Sequence, residues 1–297
     1  MTRATTLESA APSHRRVLSP VLLIGGTGML GRAWRELLAK HDVEFDAPPR
    51  SDLDLTKPDT LARHITGEHP TIINCSAWTD VDGAETKLDE AKAANGTGVG
   101  ALADRCGRVN ATLVHYSTDY VFNGQATSPY PLDYPTEPVN AYGESKLLGE
   151  TLIQRSGCRY LLIRTSWLYA PWGKNFVRTI ANAAKTKPQL KVVNDQRGRP
   201  TSSEHLADLS LRLLNTGATG IFHGCDGGEC TWFDFAKEIA AQVNPACDVQ
   251  PCTTADFPRP AKRPAYSVLS LERTEAEIGP MPDWRDNLRS VLDRLEV

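Results

Sequence analysis

The sequence predicts an α/β fold with a doubly wound parallel sheet and a smaller, interleaved C-terminal lobe. Short apolar runs alternate with helical patterns through the first 170 residues. These runs are apolar throughout, as strands are when helices cover both faces of a parallel sheet. The first run also leads through a glycine-rich turn directly into a helical pattern. Together these observations favour a sheet built from successive strand–helix–strand units.

The strands and helices of this sheet follow one another in a regular order. Apolar stripes and strand-like runs supply the boundaries. Strands are predicted over residues 20–26, 43–45, 71–77, 111–117 and 159–166. Helices are predicted over residues 29–41, 58–69, 85–108 and 140–156, the last with Asn140 as its N-cap.

The pattern changes after residue 170, where loops rich in Pro, Gly and Arg separate helical stretches. The predicted helices cover residues 176–185, 203–216, 231–243 and 284–295. Long polar loops at one edge of an α/β sheet usually carry function. We therefore predict a dinucleotide-binding domain over residues 19–170 and mainly a substrate-binding lobe over 171–297, with some segments returning to the sheet. Residues 1–18 lack the apolar core of a signal peptide and are predicted to be a mobile tail.

Composition excludes several classes of protein. The chain has 297 residues, 40% of them apolar and 23% charged, with a net charge of −3. Nucleic-acid binding would require a basic excess, so no nucleic-acid partner is expected. No apolar run approaches the roughly 18 residues of a membrane span, and we expect a cytoplasmic protein without a membrane partner. The seven cysteines form no Cys-x-x-Cys pair, so no metal site is predicted.

The glycine turn "GGTGMLG" places Gly25, Gly28 and Gly31 between the first strand and the first helix. In this context a glycine triplet indicates a dinucleotide-binding (Rossmann) turn. Gly25 permits the tight turn, Gly28 lets the backbone approach a pyrophosphate, and Gly31 allows close packing of the helix. The helix N-terminus then faces the phosphates. The neighbouring residues expected to bind the same cofactor are Thr27, Met29 and Leu30.

The end of the second strand should select between NAD and NADP, and the signals there conflict. Asp46 has nearly the spacing of an acid that bonds a ribose 2′-hydroxyl. Arg50 follows closely and would suit a 2′-phosphate. Asp54 and Leu55 are expected near the adenine. Both NADPH and NADH therefore remain open as cofactor.

"AYGESK" places Tyr142 and Lys146 four residues apart on one face of a predicted helix. A nearby ammonium and a cationic nicotinamide would lower the pKa of the phenol toward the working range. Lys146 is also expected to hold the nicotinamide ribose. Thr118, at the end of the fourth strand, would donate to or orient the same carbonyl oxygen, and Ser117 is the alternative.

These motifs resemble the extended short-chain dehydrogenase/reductase superfamily. Six blocks in order resemble the dTDP-4-dehydrorhamnose reductase family more specifically, and they cover nearly the whole chain from residue 20. The blocks are residues 74–85, 115–124, 140–150, 163–176, 194–202 and 263–269. The resemblance implies reduction of the C4 ketone of dTDP-4-dehydro-L-rhamnose to dTDP-L-rhamnose by an NAD(P)H-dependent oxidoreductase.

The resemblance also implies residue roles. Tyr142 is the proton donor, Lys146 its partner, and Thr118 the residue that binds the substrate oxygen. The other implied substrate contacts are Tyr116, Asp119, Trp167, Asn175 and Arg263. The resemblance also implies that the cofactor contacts the end of the third strand, at Ala77, Trp78 and Thr79.

Some members of the family hold a magnesium ion between subunits through glutamates. Glu204 matches one such position, but Ala33 stands where those members have a carboxylate. The resemblance therefore leaves a homodimer open and predicts no bridging metal.

Three alternatives share this pattern. A 4,6-dehydratase would need a glutamate directly after Asp119, where this chain has Tyr120. An epimerase, or a reductase of another 4-keto nucleotide sugar, would keep the same cofactor turn and Tyr–Lys pair. The third alternative is a non-catalytic nucleotide-binding subunit resembling the regulatory subunit of methionine adenosyltransferase. The presence of Thr118, Tyr142 and Lys146 favours an enzyme.

Overall fold

The computed structural model describes residues 19–295, so the predicted N-terminal tail lies outside the described part. The central sheet contains six parallel strands in the order β2-β1-β3-β4-β5-β10. The strands of the described chain are β1 (Val21–Ile24), β2 (Phe45–Asp46), β3 (Thr71–Asn74), β4 (Thr112–Thr118), β5 (Arg159–Thr165), β6 (Leu168–Tyr169), β7 (Gln189–Val193), β8 (Arg197–Gly198), β9 (Thr201–Ser202), β10 (Gly220–His223), β11 (Cys230–Thr231) and β12 (Asp248–Cys252).

Eleven α-helices accompany these strands within the described residues. Their bounds are α1 (Met29–Lys40), α2 (Pro58–His64), α3 (Val81–Ala84), α4 (Leu88–Lys92), α5 (Gly98–Arg108), α6 (Ala141–Arg155), α7 (Phe176–Thr186), α8 (Ser203–Thr216), α9 (Trp232–Val243), α10 (Glu272–Ile278) and α11 (Trp284–Leu292). A π-helical segment, Ala93–Thr97, joins α4 to α5. The predicted helix over residues 85–108 is therefore interrupted, whereas Asn140 caps α6 as predicted by accepting from the Gly143 amide at 2.8 Å.

Both faces of the central sheet are buried, as the continuous apolar runs predicted. Every residue of β1 and β3 is buried. Alternate side chains of β1 enter different cores: Leu23 packs in the core beneath α1 and α8, and Leu22 in the core beneath α2 and α5. This alternation follows from the two-residue period of a strand and makes the sheet doubly wound.

The segments after residue 170 form a second core and also complete the sheet. α7, α9, α11 and the parallel pair β7–β12 enclose a cluster that includes Phe235 and Trp284. β10 adds the sixth strand beside β5, and α8 packs against α1. The two lobes are therefore interleaved along the chain.

Within residues 19–295, no helix is both long and apolar enough to cross a membrane. The same residues contain no group of three or more His, Cys, Asp and Glu side chains placed to hold a metal ion. Glu204 is instead held by Arg294 through two contacts of 2.7 and 2.6 Å.

Candidate active site

A cleft of about 1040 Å³ lies at the carboxyl ends of β1, β3 and β4. Its position is the one expected for a ligand site, because the strand order reverses between β1 and β3 and opens a crevice there. Most of the sequence-predicted site residues line it, namely Gly25, Thr27, Gly28, Met29, Leu30, Asp54, Leu55, Ala77, Trp78, Thr79, Tyr116, Thr118, Asp119, Tyr142, Lys146 and Trp167.

The glycine turn forms one end of this cleft. Gly25 has φ of 78°, and a Cβ there would lie 2.8 Å from the Ser76 amide nitrogen. Gly31 packs against the carbonyl of Gly25 so closely that a Cβ would overlap it. Gly28 is the N-cap of α1 and provides no side-chain cap, and Met29 and Leu30 in the first turn of the helix line the cleft. The turn therefore lets a pyrophosphate come close to the backbone. The amides at the start of α1 are then available to bind it.

The loop after β2 carries a cation into the cleft. Arg50 lines the cleft and approaches Asp54 at 3.4 Å. Asp46 is outside the cleft: its carboxylate is 71% exposed and lies 2.7 Å from His69 Nε2. The cofactor contact by Asp46 stays a prediction, and in this structure the side chain turns toward His69, which precedes β3.

The π-helical segment fixes the backbone that lines the cleft beside β3. Asn95 is fully buried, and its side chain accepts from the Trp78 amide at 2.9 Å and donates to the Trp78 carbonyl at 3.0 Å. It also donates to Ser145 Oγ on α6 at 3.0 Å. One amide side chain therefore couples the cleft wall at Trp78 to the helix that carries Tyr142 and Lys146.

Thr118 and Asp119 form a buried pair at the end of β4. The Thr118 hydroxyl donates to Asp119 Oδ1 at 3.0 Å and accepts from the Tyr120 amide at 3.1 Å. Burial raises the pKa of Asp119 to about 7, against the opposing effect of hydrogen bonds from Ser267 and Thr118. This carboxyl group therefore changes charge near neutral pH. The Ser117 hydroxyl also lines the cleft and finds no hydrogen-bond partner within the described residues.

Tyr142 keeps its proton in this arrangement. Burial raises the pKa of its phenol, the nearby Asp119 carboxylate raises it further, and the Thr118 hydroxyl partly opposes the rise. The predicted lowering of this pKa depends on Lys146 together with a cationic nicotinamide, and it stays a prediction for the cofactor-bound protein. Without the cofactor, desolvation of the phenol dominates, so Tyr142 is a protonated group ready to donate.

Lys146 is 2% exposed and fixed by its contacts with β4. Its Nζ donates to the Tyr116 carbonyl at 2.5 Å and lies 3.4 Å from His115 Nε2. Burial lowers the pKa of Lys146 to about 8, with Glu150 opposing the change. Glu150 is itself neutralised by Arg164, which binds both carboxylate oxygens at 3.0 and 2.7 Å.

Three of the residues predicted to contact substrate form hydrogen bonds or ion pairs with other protein groups. Tyr116 lines the cleft, but its hydroxyl accepts from Trp34 at 2.7 Å and donates to Ser210 at 3.0 Å, so this phenol ties β4 to α1 and α8. Asn175 is outside the cleft and caps α7 by accepting from the Arg178 amide at 3.1 Å.

Arg263 is also outside the lining of the cleft. It pairs with Asp82 at 3.1 Å and donates to the Ala261 carbonyl at 2.9 Å. Like Asn175, it is engaged by protein groups, and its direct contact with substrate stays a prediction.

Trp167 faces the cleft on a strained backbone. Its φ of 46° is unusual for a bulky residue, and its indole stacks on Trp232 with ring centroids 3.6 Å apart. Such strain persists where packing over-determines it, and it is common at ligand sites.

Sequence reasoning did not identify His115, Trp232 or Lys174 as parts of the site. Trp232 and Lys174 line the cleft, and His115 lies behind Lys146. His115 lies within the fourth predicted strand and begins the block of residues 115–124, and that block was the available signal. Nothing in the local sequence marks Trp232, whose place depends on its stacking with Trp167.

The strand order, the glycine turn and the Thr–Tyr–Lys group define a short-chain dehydrogenase/reductase of the extended type. A family model described as "RmlD substrate binding domain" matches residues 19–297. The chain belongs to this family, whose curated members include the dTDP-4-dehydrorhamnose reductases.

Two curated relatives illustrate the range within the family. The chain is 40% identical to a dTDP-4-dehydrorhamnose reductase of Burkholderia thailandensis, over 89% of this chain and 95% of the relative. It is also 40% identical to a probable dTDP-4,6-dihydroxy-2-methyloxan-3-one 4-ketoreductase of Streptomyces antibioticus, over 91% and 94%. The two names share a 4-keto sugar carried on dTDP.

Solved structures agree with this assignment. A dTDP-4-dehydrorhamnose reductase of Clostridium acetobutylicum superposes with a TM-score of 0.90 at 38% identity, covering 93% of this chain and 99% of that chain. The reductase of Bacillus anthracis in complex with NADP gives a TM-score of 0.88 at 33% identity, covering 92% and 98%.

Proposed function

We propose that this protein reduces the C4 ketone of dTDP-4-dehydro-L-rhamnose to dTDP-L-rhamnose with NADPH. The observation that carries the proposal is the meeting of a protonated Tyr142, Thr118 and Lys146 at a cleft that begins with a dinucleotide-binding turn. The family relationship supports the substrate class. A homodimer and a cytoplasmic location remain predictions.

The cofactor site fits a dinucleotide by its own shape. Gly25 and Gly31 leave space that a side chain would fill, and the N-terminal amides of α1 suit the diphosphate. Arg50 would pair with a 2′-phosphate, which favours NADPH over NADH, and the NADP complex of a 33% identical relative supports this choice. Trp78, Thr79 and Lys146 would hold the nicotinamide half.

The chain's residues supply the proton and the electrostatic control. When bound, the cofactor supplies the hydride. Tyr142 donates its proton to the substrate's C4 oxygen, because its raised pKa keeps it protonated at neutral pH. Thr118 would orient that oxygen by turning its hydroxyl proton from Asp119 to the substrate, and Trp167 would pack on the sugar. Exclusion of water by the aromatic wall of Trp167 and Trp232 strengthens these contacts.

The first test measures turnover. Purified protein is mixed with the dTDP-4-keto sugar and NADPH, and the product is identified by NMR. We expect one NADPH oxidised for each dTDP-L-rhamnose formed. An epimerase would interconvert sugars without net NADPH oxidation, and a non-catalytic subunit would bind cofactor without turnover. Either result would contradict the proposal.

The Tyr142→Phe variant tests the proton donor. Removing a general acid costs about 10²–10⁴-fold in kcat. The cofactor's Kd should remain nearly unchanged, because the phenol's proton is needed only for the reaction. Tyr160→Phe is the matched control, since Tyr160 lies on β5 outside the cleft lining. Wild-type turnover by Tyr142→Phe would remove Tyr142 from the mechanism.

A second candidate is reduction of another dTDP-linked 4-keto sugar. The 40% identical Streptomyces relative carries such a name, and the pocket wall formed by Trp167 and Trp232 would set the sugar chosen. A screen of 4-keto nucleotide sugars compares their kcat/KM values. The rhamnose precursor should rank first, and a higher value for another sugar would select this alternative.

A further inference from the structure

A buried chain of hydrogen bonds runs behind Lys146. The Asn74 side-chain oxygen accepts from the Ser76 amide at 3.0 Å and from the Ser76 hydroxyl at 2.7 Å. Asn74 Nδ2 lies 3.0 Å from His115 Nδ1, and His115 Nε2 lies 3.4 Å from Lys146 Nζ. Asn74 and His115 are each 1% exposed and Lys146 is 2% exposed, so bulk water does not supply alternative partners.

This chain determines where the imidazole carries its proton. A backbone amide can only donate, so the Ser76 amide fixes the Asn74 oxygen on its own side. The amide nitrogen of Asn74 must then face His115 Nδ1 and donate to it. A neutral imidazole that accepts at Nδ1 carries its proton at Nε2. The network thus assigns His115 as the Nε2–H tautomer.

That proton points at the amine of Lys146. An ammonium group has three donors and no lone pair, so an Nε2–H facing it would leave two donors opposed. A neutral amine resolves the conflict, because it donates one proton to the Tyr116 carbonyl and accepts from His115 with its lone pair.

The charged groups around Lys146 do not reverse this conclusion. From β4 and its following turn, His115, Tyr116 and Asp119 face the site, and burial lowers the pKa of His115 well below its usual value, with the Lys146 charge acting in the same direction. On α6 itself, Tyr142 stays protonated and Glu150 is bound by Arg164 of β5. Two charged residues from α4 and the end of α3 contact the start of α6 and not Lys146. Glu85, just after α3, accepts from the Ala141 amide, and Lys92 of α4 pairs with Glu144.

We propose that His115 is a positioning residue that favours the neutral amine form of Lys146 in the cofactor-free protein by donating Nε2–H to its lone pair, so that Lys146 loses its proton more readily than an ordinary lysine. The lowered pKa of Lys146 is consistent with this arrangement. Lys146 then gains and loses its proton within the working pH range, so the charge beside Tyr142 depends on pH and on Asn74. The assignment deepens the proposed function, because it concerns the partner of the proposed proton donor.

The experiment reads the two protonation states directly in the cofactor-free protein. Protein labelled with [15N]histidine reports the tautomer of His115 through its ring nitrogen shifts, identified by the signal lost in His115→Gln. Protein labelled with [13Cε]lysine reports the titration of Lys146, identified with Lys146→Arg. We expect the Nε2–H tautomer and a lysine titration at least about one pH unit below the ordinary value near 10.4.

Asn74→Asp is the decisive variant, because it replaces the donating nitrogen with an accepting oxygen and keeps the shape. The imidazole should change to the Nδ1–H tautomer, and Nε2 should accept from the ammonium. The Lys146 titration should then rise by at least about one pH unit. The pH profile of kcat should move in the same direction. In a His115→Gln background, Asn74→Asp should move the lysine titration less.

Several results would overturn the assignment. They are an Nδ1–H tautomer in the wild type, an ordinary titration of Lys146, or equal shifts from Asn74→Asp with and without the imidazole, since equal shifts indicate a direct charge effect. The wild-type spectra decide the tautomer even if a variant fails to fold. A protein that shows the predicted spectra but does not reduce the sugar would contradict only the proposed function.

Discussion

Asp119 illustrates, at the scale of single residues, how burial gives a common side chain an uncommon charge. It is 3% exposed, and its Oδ2 finds no hydrogen-bond partner within the described residues. Its neighbours Thr118 and Ser267 compensate for part of the desolvation, which is why its pKa rises only to about 7. The carboxyl group is therefore neutral in mildly acidic solution and charged in mildly basic solution, directly beside Tyr142.

The raised pKa of Asp119 predicts a pH-dependent stability. Between the unfolded pKa near 3.8 and the folded value near 7, the unfolded chain releases this proton while the folded protein keeps it. The contribution of this group to the free energy of unfolding therefore falls as pH rises through that window. Asp119→Asn removes the titration, so its Tm relative to the wild type should increase from acidic to neutral pH and then level off. A constant difference in Tm across the window would contradict the assignment.

At the scale of elements, the loop after β2 is expected to set the cofactor preference. Arg50 lies in the cleft, whereas Asp46 is held by His69. Arg50→Met should lower kcat/KM for NADPH by about 10–100-fold, because a hydrogen bond to a charged group contributes about 1.5–3 kcal/mol. The value for NADH should change little. Asp46→Ala is the control, and it should leave the ratio of the two cofactors unchanged. The reverse pattern would restore Asp46 as the selecting residue.

The π-helical segment is predicted to couple stability to cofactor binding. Asn95 makes three hydrogen bonds, two part-buried ones to the backbone groups of Trp78 and a buried one to Ser145. Asn95→Ala leaves these groups unpaired, and each such group costs about 1–3 kcal/mol. We expect a lower free energy of unfolding in urea and a weaker cofactor Kd, since the Trp78 backbone lines the cleft. Asn182→Ala on exposed α7 surface should affect neither. A destabilised variant with unchanged cofactor affinity would separate Asn95 from the site.

At the scale of the whole molecule, the two lobes share one sheet. β10 and α8 come from after residue 170 but cover β5 and α1 of the first lobe. A fragment of residues 19–170 would expose the edge of β5 and the apolar face beneath α8, so we expect it not to fold alone. Thermal unfolding followed by circular dichroism checks this. A cooperative transition in the fragment would instead establish residues 19–170 as an independent domain.

The sequence was sufficient for the features that depend on local pattern. The five predicted strands of the first lobe and its glycine turn are present, because apolar runs and glycines express backbone and burial requirements directly. The two-residue strands, such as β8 and β9, were missed because they exist only through tertiary pairing. The partners of the Tyr116 phenol were not predicted for a similar reason, since Trp34 and Ser210 lie 82 and 94 residues away in the sequence.

The stacked indoles of Trp167 and Trp232 have a consequence for how this protein can change during evolution. Trp167 holds a left-handed backbone, and a Cβ on Gly198 would lie 2.6 Å from its ring. If one of Trp167, Trp232 and Gly198 is replaced, the other two keep an arrangement that suits only the residue that was lost. These positions, scattered over the sequence, are therefore expected to be exchanged as a set among descendants, and a new sugar preference would be reached by concerted substitution more readily than by single steps.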